Sequence, residues 1–357
     1  MRNLEFLAAE KLLGISTPEA LFSQSAREAK QEYRSLARRW HPDHEPSPQA
    51  ARVFAHIVHL YQIARERLTT GQWNEPGEKI EDEVSGVKKF RLADGSIRAL
   101  EYKIVRPFEL GLMYVSDHSV IFEINEEFDD LFQQGRKRIH FLPYKNDAMT
   151  LEMSKNLPQV IEIFRTQNTN VLIVRKTPDQ LLLSDVLKHF GGKLAPINHV
   201  GWVLNVLLNL SCYLEWAGVT HNAVSPESFF ISPLRHSGML LGGWWYATKV
   251  GERLLAVPDR SLNFIPPDIL RNKRADVRAD LELIKSIGRE TLGDAVGAHL
   301  VHNKSLPPVL VEWLLMPSSG TAADDYKTFK REVLPNAFGK PKFVSMHLDT
   351  NQLYKEN

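Results

Sequence analysis

The sequence predicts a multidomain chain: a small all-α helical hairpin, then an α+β part in two lobes, one a small sheet carrying a helix and the other helical. Three observations carry this. Apolar residues recur at helical spacing on both sides of residues 41–43. Alternation of the strand type begins only after residue 87, where Leu100, Tyr102 and Ile104 alternate with Glu101 and Lys103. Helical periodicity returns after Thr177 and continues to about Leu334. The boundaries fall at 1–72 for the hairpin, 73–87 for a linker, 88–176 for the sheet lobe, 177–335 for the helical lobe and 336–357 for a tail. A chain of 357 residues accommodates about two or three such domains, each with its own core.

Composition narrows the function classes. The net charge is +1, which argues against a general nucleic-acid binder. The single cysteine, Cys212, lies in an apolar run and cannot form an internal disulfide, as expected in a reducing compartment. Arg2, Glu5 and Glu10 make the N-terminus a poor signal peptide. The longest apolar run, Ile197 to Val219, contains Asn198, His199, Asn205, Asn209, Ser211 and Glu215, so it reads as a core helix rather than a membrane span. The expected location is cytoplasmic, with no membrane partner.

The first elements are helices. Glu10 to Ile15 is a short one, and Ser16 or Thr17 precedes a turn that starts at Pro18. In the next, Ala29, Tyr33, Leu36 and Trp40 form one apolar stripe, while Arg27, Lys30, Arg34 and Arg38 form a basic one. Pro42 has no amide hydrogen and disfavours helix at His41, so this helix ends there. The stretch Pro48 to Leu68 places Phe54, Ile57, Tyr61, Ala64 and Leu68 on one face. Two such helices bury their apolar faces on each other and leave His41-Pro42-Asp43 at the tip.

This arrangement, from about Leu4 to about Trp73, resembles a J domain, the module that stimulates the ATPase of DnaK-type chaperones. The basic helix before His41-Pro42-Asp43 and the pattern Phe54, Ile57, Tyr61 after it make the likeness specific. It implies a chaperone partner, with His41, Pro42 and Asp43 stimulating hydrolysis and Arg27, Lys30, Arg34 and Arg38 docking an acidic surface. The alternative for the stripe alone is a solvated face. The chain has neither a glycine-phenylalanine stretch nor a cysteine-rich zinc module.

After the polar linker come strands. Val87 to Leu92 and Ser96 to Val105 flank Ala93-Asp94-Gly95, a hairpin-turn sequence. Glu109 to Ser116 and Ser119 to Asn125 form a second pair around Asp117-His118. Glu126 to Leu142 reads as a helix burying Phe128, Leu131, Phe132 and Ile139. Val160 to Phe164 and Asn170 to Arg175 are two more strands. The helical lobe then offers Leu181 to Phe190, Ile197 to Ala217, Arg278 to Leu292, Pro307 to Leu315 and Asp324 to Leu334, with a loop region from Gly218 to Pro267. The tail after Pro335 shows no period and is expected to pack loosely.

From about Phe108 to Leu334 the chain resembles a bilobal protein-kinase fold. Gly218 to Ile231, with His221-Asn222-Ala223 and Ser228, is similar to a kinase catalytic loop. Leu240-Leu241-Gly242-Gly243 stands where a metal-binding Asp-Phe-Gly follows a strand, and Ile265-Pro266-Pro267-Asp268 where the activation segment closes. Asp280, early in a helix, would hold the loop backbone. Phosphoryl transfer needs a carboxylate at the hydroxyl, metal ligands, a phosphate-holding lysine and a glycine-rich cover. Those positions hold Ala223, Ser228 and Gly243, the turn Tyr114 to Ser119 lacks glycine, and no lysine can be assigned. The resemblance therefore implies a pseudokinase: not an enzyme, with no cofactor, serving as an adaptor toward a client or partner that the sequence does not identify.

Other residues weigh toward structure. His221 pins a loop, Gly242-Gly243 makes a bend, Cys212 is a core residue, and Trp244-Trp245 either packs between the lobes or forms an exposed aromatic contact site. His41 with His44 and His56 with His59 lack the further ligands of a metal site, so no metal is expected. Two rival readings exist: an atypical kinase using Asp268, Asp276 or Glu227, and a scaffold independent of any chaperone.

Overall fold

The structure, a computed structural model, describes residues 8–15, 17–40, 45, 49–70, 73, 86–92, 94–340 and 342–354. The chain is a mixed α+β protein with helices and several antiparallel sheets. It divides into two compact units, residues 1–129 with 160–173, and residues 130–159 with 174–357.

The first unit starts with α1 (Ala9–Leu13), α2 (Pro18–Leu21), α3 (Ala26–Trp40) and α4 (Ala50–Thr70). Thr17 precedes α2 but makes no side-chain cap; Pro18 at the first helical position starts that turn. Ala29, Tyr33, Leu36 and Trp40 of α3 are buried, as are Phe54, Ile57, Tyr61 and Ala64 of α4. Tyr33 and Tyr61 stack at 4.1 Å between ring centroids, and Phe22 meets Tyr61 edge-on. Each buried large apolar side chain of this kind contributes about 1.5–3 kcal/mol.

Strands follow. β1 (Val87–Arg91) and β2 (Ile97–Glu101) form a hairpin. Its turn is the expected one: Asp94 Oδ1 accepts from the Ser96 amide at 2.9 Å, and Gly95 has φ +84°. The single strand expected over Ser96 to Val105 is broken. The Tyr102 amide donates to Gly86 and the next amide, Lys103, to Val115, so consecutive residues serve two different sheets. The second sheet contains β3 (Ile104–Phe108), β4 (Gly111–Val115), β5 (Ser119–Asn125), β6 (Val160–Arg165) and β7 (Thr169–Arg175), in the order β3-β4-β5-β7-β6. The strand expected over Glu109 to Ser116 is shorter, because residues 109–110 turn between β3 and β4. Phe90, Leu112, Tyr114, Ile121, Val171 and Ile173 belong to the same hydrophobic core as the buried residues of α1–α4. The hairpin and the sheet are thus built around one core rather than two.

The second unit opens with α5 (Asp129–His140) and α6 (Asp147–Met153). α5 follows a 3-10 turn, Glu126–Phe128, and buries Leu131, Phe132 and Ile139; Phe128, expected on that face, is only half-buried in the turn. β8 (Leu181–Leu182) and α7 (Leu183–His189) replace one expected helix, since Leu181 and Leu182 pair with Ile231 and Phe230. α8 (Asn198–Trp216) is the long apolar helix, with β9 (Val219–Thr220) after it. The region expected as loop contains β10 (Phe229–Ser232), β11 (Ser237–Leu240) and β12 (Thr248–Lys249). These strands form two small sheets, β11-β10-β8 and β12-β9. Then come α9 (Pro267–Asn272), α10 (Val277–Thr291), α11 (Pro308–Leu315), α12 (Ala322–Thr328) and α13 (Leu334–Phe338). α12 and α13 are joined without a break by a π-helical stretch, Phe329–Val333, so the helix expected over Asp324 to Leu334 lies within one continuous run.

The tail does not pack loosely. It ends in α14 (Thr350–Leu353), capped by Asp349, and Met346, Leu348 and Tyr354 are buried. The Leu182 amide donates to the Tyr354 hydroxyl at 3.1 Å, and the Thr350 hydroxyl donates to the Pro178 carbonyl. Among the described residues no helix is long and apolar enough to cross a membrane.

Candidate functional site

Two places carry the residues singled out by sequence, one in each unit. In the first unit, α3 separates apolar from basic. Lys30, Arg34 and Arg38 recur every fourth residue, which aligns them along one face at about 6 Å intervals. Arg34 and Arg38 are exposed and Lys30 is half-exposed. Lys30 Nζ lies 2.9 Å from Glu127 Oε2, and Arg34 reaches the same oxygen at 4.0 Å. Arg39 pairs with Glu45 and stacks over the Trp40 ring at 5.1 Å. α3 runs to Trp40, so residues 41–43 follow directly on its end. His41, Pro42 and Asp43 themselves, and the side chain of Arg27, lie outside the described residues. So do His44 and the side chain of His59, while His56 Nε2 is bonded to the Ile15 carbonyl at 2.7 Å, which ties α4 to the segment after α1.

In the second unit the structure gathers His221, Ala223, Ser228, Gly243 and Asp280. The Asp280 carboxylate, fully buried near the start of α10, accepts from the amides of His221 and Asn222 at 2.7 Å each. Burial raises its pKa to about 6, against the pull of those two amides. His221 Nε2 is 3.0 Å from the Gly242 carbonyl, so that nitrogen carries the proton. Burial pushes this imidazole down to about 3. The ring meets Trp244 edge-on at 5.0 Å.

Gly243 has φ +79°, and a Cβ there would fall 2.7 Å from His221 Cε1 and 2.9 Å from Ala223 Cβ. That bend starts a 3-10 turn of Trp244, Trp245 and Tyr246, all buried. The Trp244 indole donates to the Leu240 carbonyl at 2.8 Å. The two tryptophans are thus buried, which sets aside the exposed aromatic contact site. Ser228 Oγ is 2.9 Å from the Ala223 carbonyl and accepts from the Ser225 amide at 2.9 Å, so it closes a local turn.

Sequence reasoning missed three contributors. Asn222 adopts φ +62° and its side-chain Nδ2 donates to the Thr220 and Tyr246 carbonyls, tying β9 to the turn before β12; its type was the available signal, since asparagine tolerates the left-handed region. Gln134 of α5 donates to the Trp245 carbonyl at 3.1 Å. Gly135 lets α5 approach, because a Cβ there would fall 2.8 Å from the Trp245 amide nitrogen. No short-range pattern announces either contact.

Ala223 supplies a methyl, Gly243 nothing, and the Asp280 carboxylate is engaged by backbone amides. β5 carries no lysine, and its one ionisable residue, Glu123, is buried and accepts from the Tyr114 hydroxyl at 2.8 Å. The carboxylates of the rival reading are in ion pairs: Glu227 with Arg260 at 2.6 Å, and Asp268 and Asp276 with Arg278 at 2.7 and 2.9 Å. Among the described residues no group of three or more His, Cys, Asp or Glu side chains could hold a metal ion. Burial, aided by the charge of Glu215, raises the Cys212 thiol to about 11, so at neutral pH it is not a thiolate. No protein-family model matches the chain, and no curated protein matches it.

Proposed function

We propose that the protein is a J-domain co-chaperone whose second part is a kinase-like, catalytically inactive adaptor. The observation that carries the proposal is the division of α3: its apolar face is buried against α4, Arg34 and Arg38 are exposed on its basic face, and the helix runs to Trp40, the residue before His41-Pro42-Asp43. In this reading the stripe docks an acidic surface of a DnaK-type chaperone and residues 41–43 stimulate hydrolysis. The kinase-like reading is supported by Asp280 holding the amides of the loop at His221 and Asn222, and by the bend at Gly243 beside it. That loop keeps a scaffold and lacks the acidic groups of a transferase, which suits a surface for a client or partner. A cytoplasmic setting belongs to the same proposal.

Reversal of Arg34 and Arg38 to Glu in the full-length protein tests the docking. Both are exposed, so the fold is expected to remain, while binding to a DnaK-type chaperone falls about tenfold or more, in line with rim charges that steer association. Binding by the parent is expected to weaken as salt rises, because exposed charges are screened over roughly 8 Å at physiological ionic strength. Binding indifferent to both changes would show the stripe to be a solvated face.

A further inference from the structure

The counter-charge of the basic stripe is already present within the first unit. The 3-10 turn Glu126–Phe128 carries two adjacent carboxylates. Glu126 pairs with Arg65 of α4 at 3.5 Å and with Arg165 of β6. Glu127 pairs with Lys30 and Arg34 of α3. The turn is fixed by the backbone at its start: the Asn125 amide donates to the Leu110 carbonyl and the Glu126 amide to the Asn168 carbonyl, each at 2.9 Å. The Asn170 side chain then donates to Asp129 at 3.1 Å, just beyond it. The fold, not a wandering side chain, therefore places Glu127 at the stripe.

The contact has the character of a detachable one. Only 9% of the Glu127 side chain is exposed, against 38% for Lys30 and 66% for Arg34. Glu127 Oε2 is buried yet receives no aligned hydrogen bond among the described residues. A buried carboxylate oxygen held by charge alone keeps part of its desolvation cost, so the pair is weaker than its distance suggests. Arg38, one turn further along, is exposed and makes no ion pair among the described residues. The stripe is thus divided: its inner end is engaged and its outer end is open.

We infer that Glu127 is an internal stand-in for the acidic partner, occupying Lys30 and Arg34 until a chaperone displaces it, so that the resting protein holds its own docking stripe partly masked. This rests on the co-chaperone reading. An acidic surface that arrives first at Arg38 would compete for Arg34 and then Lys30, and each gain would release Glu127 to solvent.

The experiment is stimulation of a DnaK-type ATPase under single turnover by the full-length parent, Glu127→Gln and Glu126→Gln, over a range of concentrations. Alongside it, the reactivity of Lys30 toward an amine-acetylating reagent is read by mass spectrometry without chaperone. Glu127→Gln is expected to lower the half-maximal concentration about two- to fivefold, the range a partly exposed ion pair carries, and to raise Lys30 acetylation. Glu126→Gln, which leaves the Lys30 pair in place, is expected to change neither. Parent and Glu127→Gln that stimulate alike at equal half-maximal concentration overturn the inference and leave the co-chaperone reading standing. If neither stimulates at any concentration, that reading falls and the inference with it. A Lys30 equally reactive in parent and Glu127→Gln also overturns it, whatever the ATPase shows.

Discussion

His221 and Asp280 are buried together and are pushed in opposite directions. His221 is held neutral, from an ordinary 6.5 down to about 3, because burial disfavours its cation. The unfolded chain therefore binds a proton there that the folded protein does not, and this residue makes the fold lose stability as pH falls below 6.5. Asp280 has its pKa raised from 3.8 to about 6, so the folded state binds the extra proton and stability from this residue declines as pH rises from 3.8 through 6. As pH falls from 6.5 to about 6 the loss at His221 stands alone; from about 6 to 3.8 the gain at Asp280 largely cancels it, so the two residues mask each other there. In His221→Gln the melting temperature is expected to fall less steeply between pH 6.5 and 4.5 than in the parent. Calorimetry over that range checks this; parallel pH profiles would mean that the ring is not held neutral.

At the scale of elements, the helices with one apolar stripe were legible because periodicity and burial coincide. α3 and α4 are the clearest case, and Asp94-Gly95 marked its hairpin through the positive φ that glycine allows. What was not legible depended on contacts distant in sequence. α6 was missed because only Met153 of it is buried while Leu151 is 80% exposed, which leaves no stripe to read. Leu181 to Leu183 are buried on every side, and an apolar run of that kind does not distinguish strand from helix until Phe230 and Ile231 pair with it. The tail shows no period because it is held by single contacts at Met346, Thr350 and Tyr354 rather than by a helical face.

The loop between β9 and β10 has its own consequence. Its scaffold, Asp280 with the His221 and Asn222 amides, was readable from the resemblance; the Trp244 packing and the Gln134 contact were not. Positioning and charge neutralisation supply most of the catalysis in phosphoryl transfer. On the proposed kinase-like reading Ala223, Ser228 and Gly243 supply neither a carboxylate nor a metal ligand, so incubation with labelled ATP and magnesium or manganese is expected to give no transfer to the protein or to a general substrate. Metal-dependent incorporation above that of Asp280→Asn would contradict it.

At the scale of the molecule, the shared core of the hairpin and the sheet matters most. Phe90, Leu112, Tyr114, Ile121, Val171 and Ile173 belong to one core with α1–α4, so a fragment of residues 88–357 would expose part of that face. Each such side chain contributes about 1.5–3 kcal/mol when buried. The fragment is expected to bind a hydrophobic dye and to melt well below the full chain; an equal melting temperature would show that the sheet needs no help from the helices. This arrangement also explains how Glu127, far from α3 in sequence, reaches Lys30. Helices α1–α4 and the sheet residues of the first unit thus share one core, and the proposed activity is to be measured in the intact protein.

The most direct test of the central claim is single-turnover ATP hydrolysis by a DnaK-type chaperone in the presence of the full-length protein or its His41→Gln variant, with circular dichroism of both. Acceleration by the parent, none by the variant, and matching spectra are expected. Equal acceleration by the two proteins, or none by either, would contradict it.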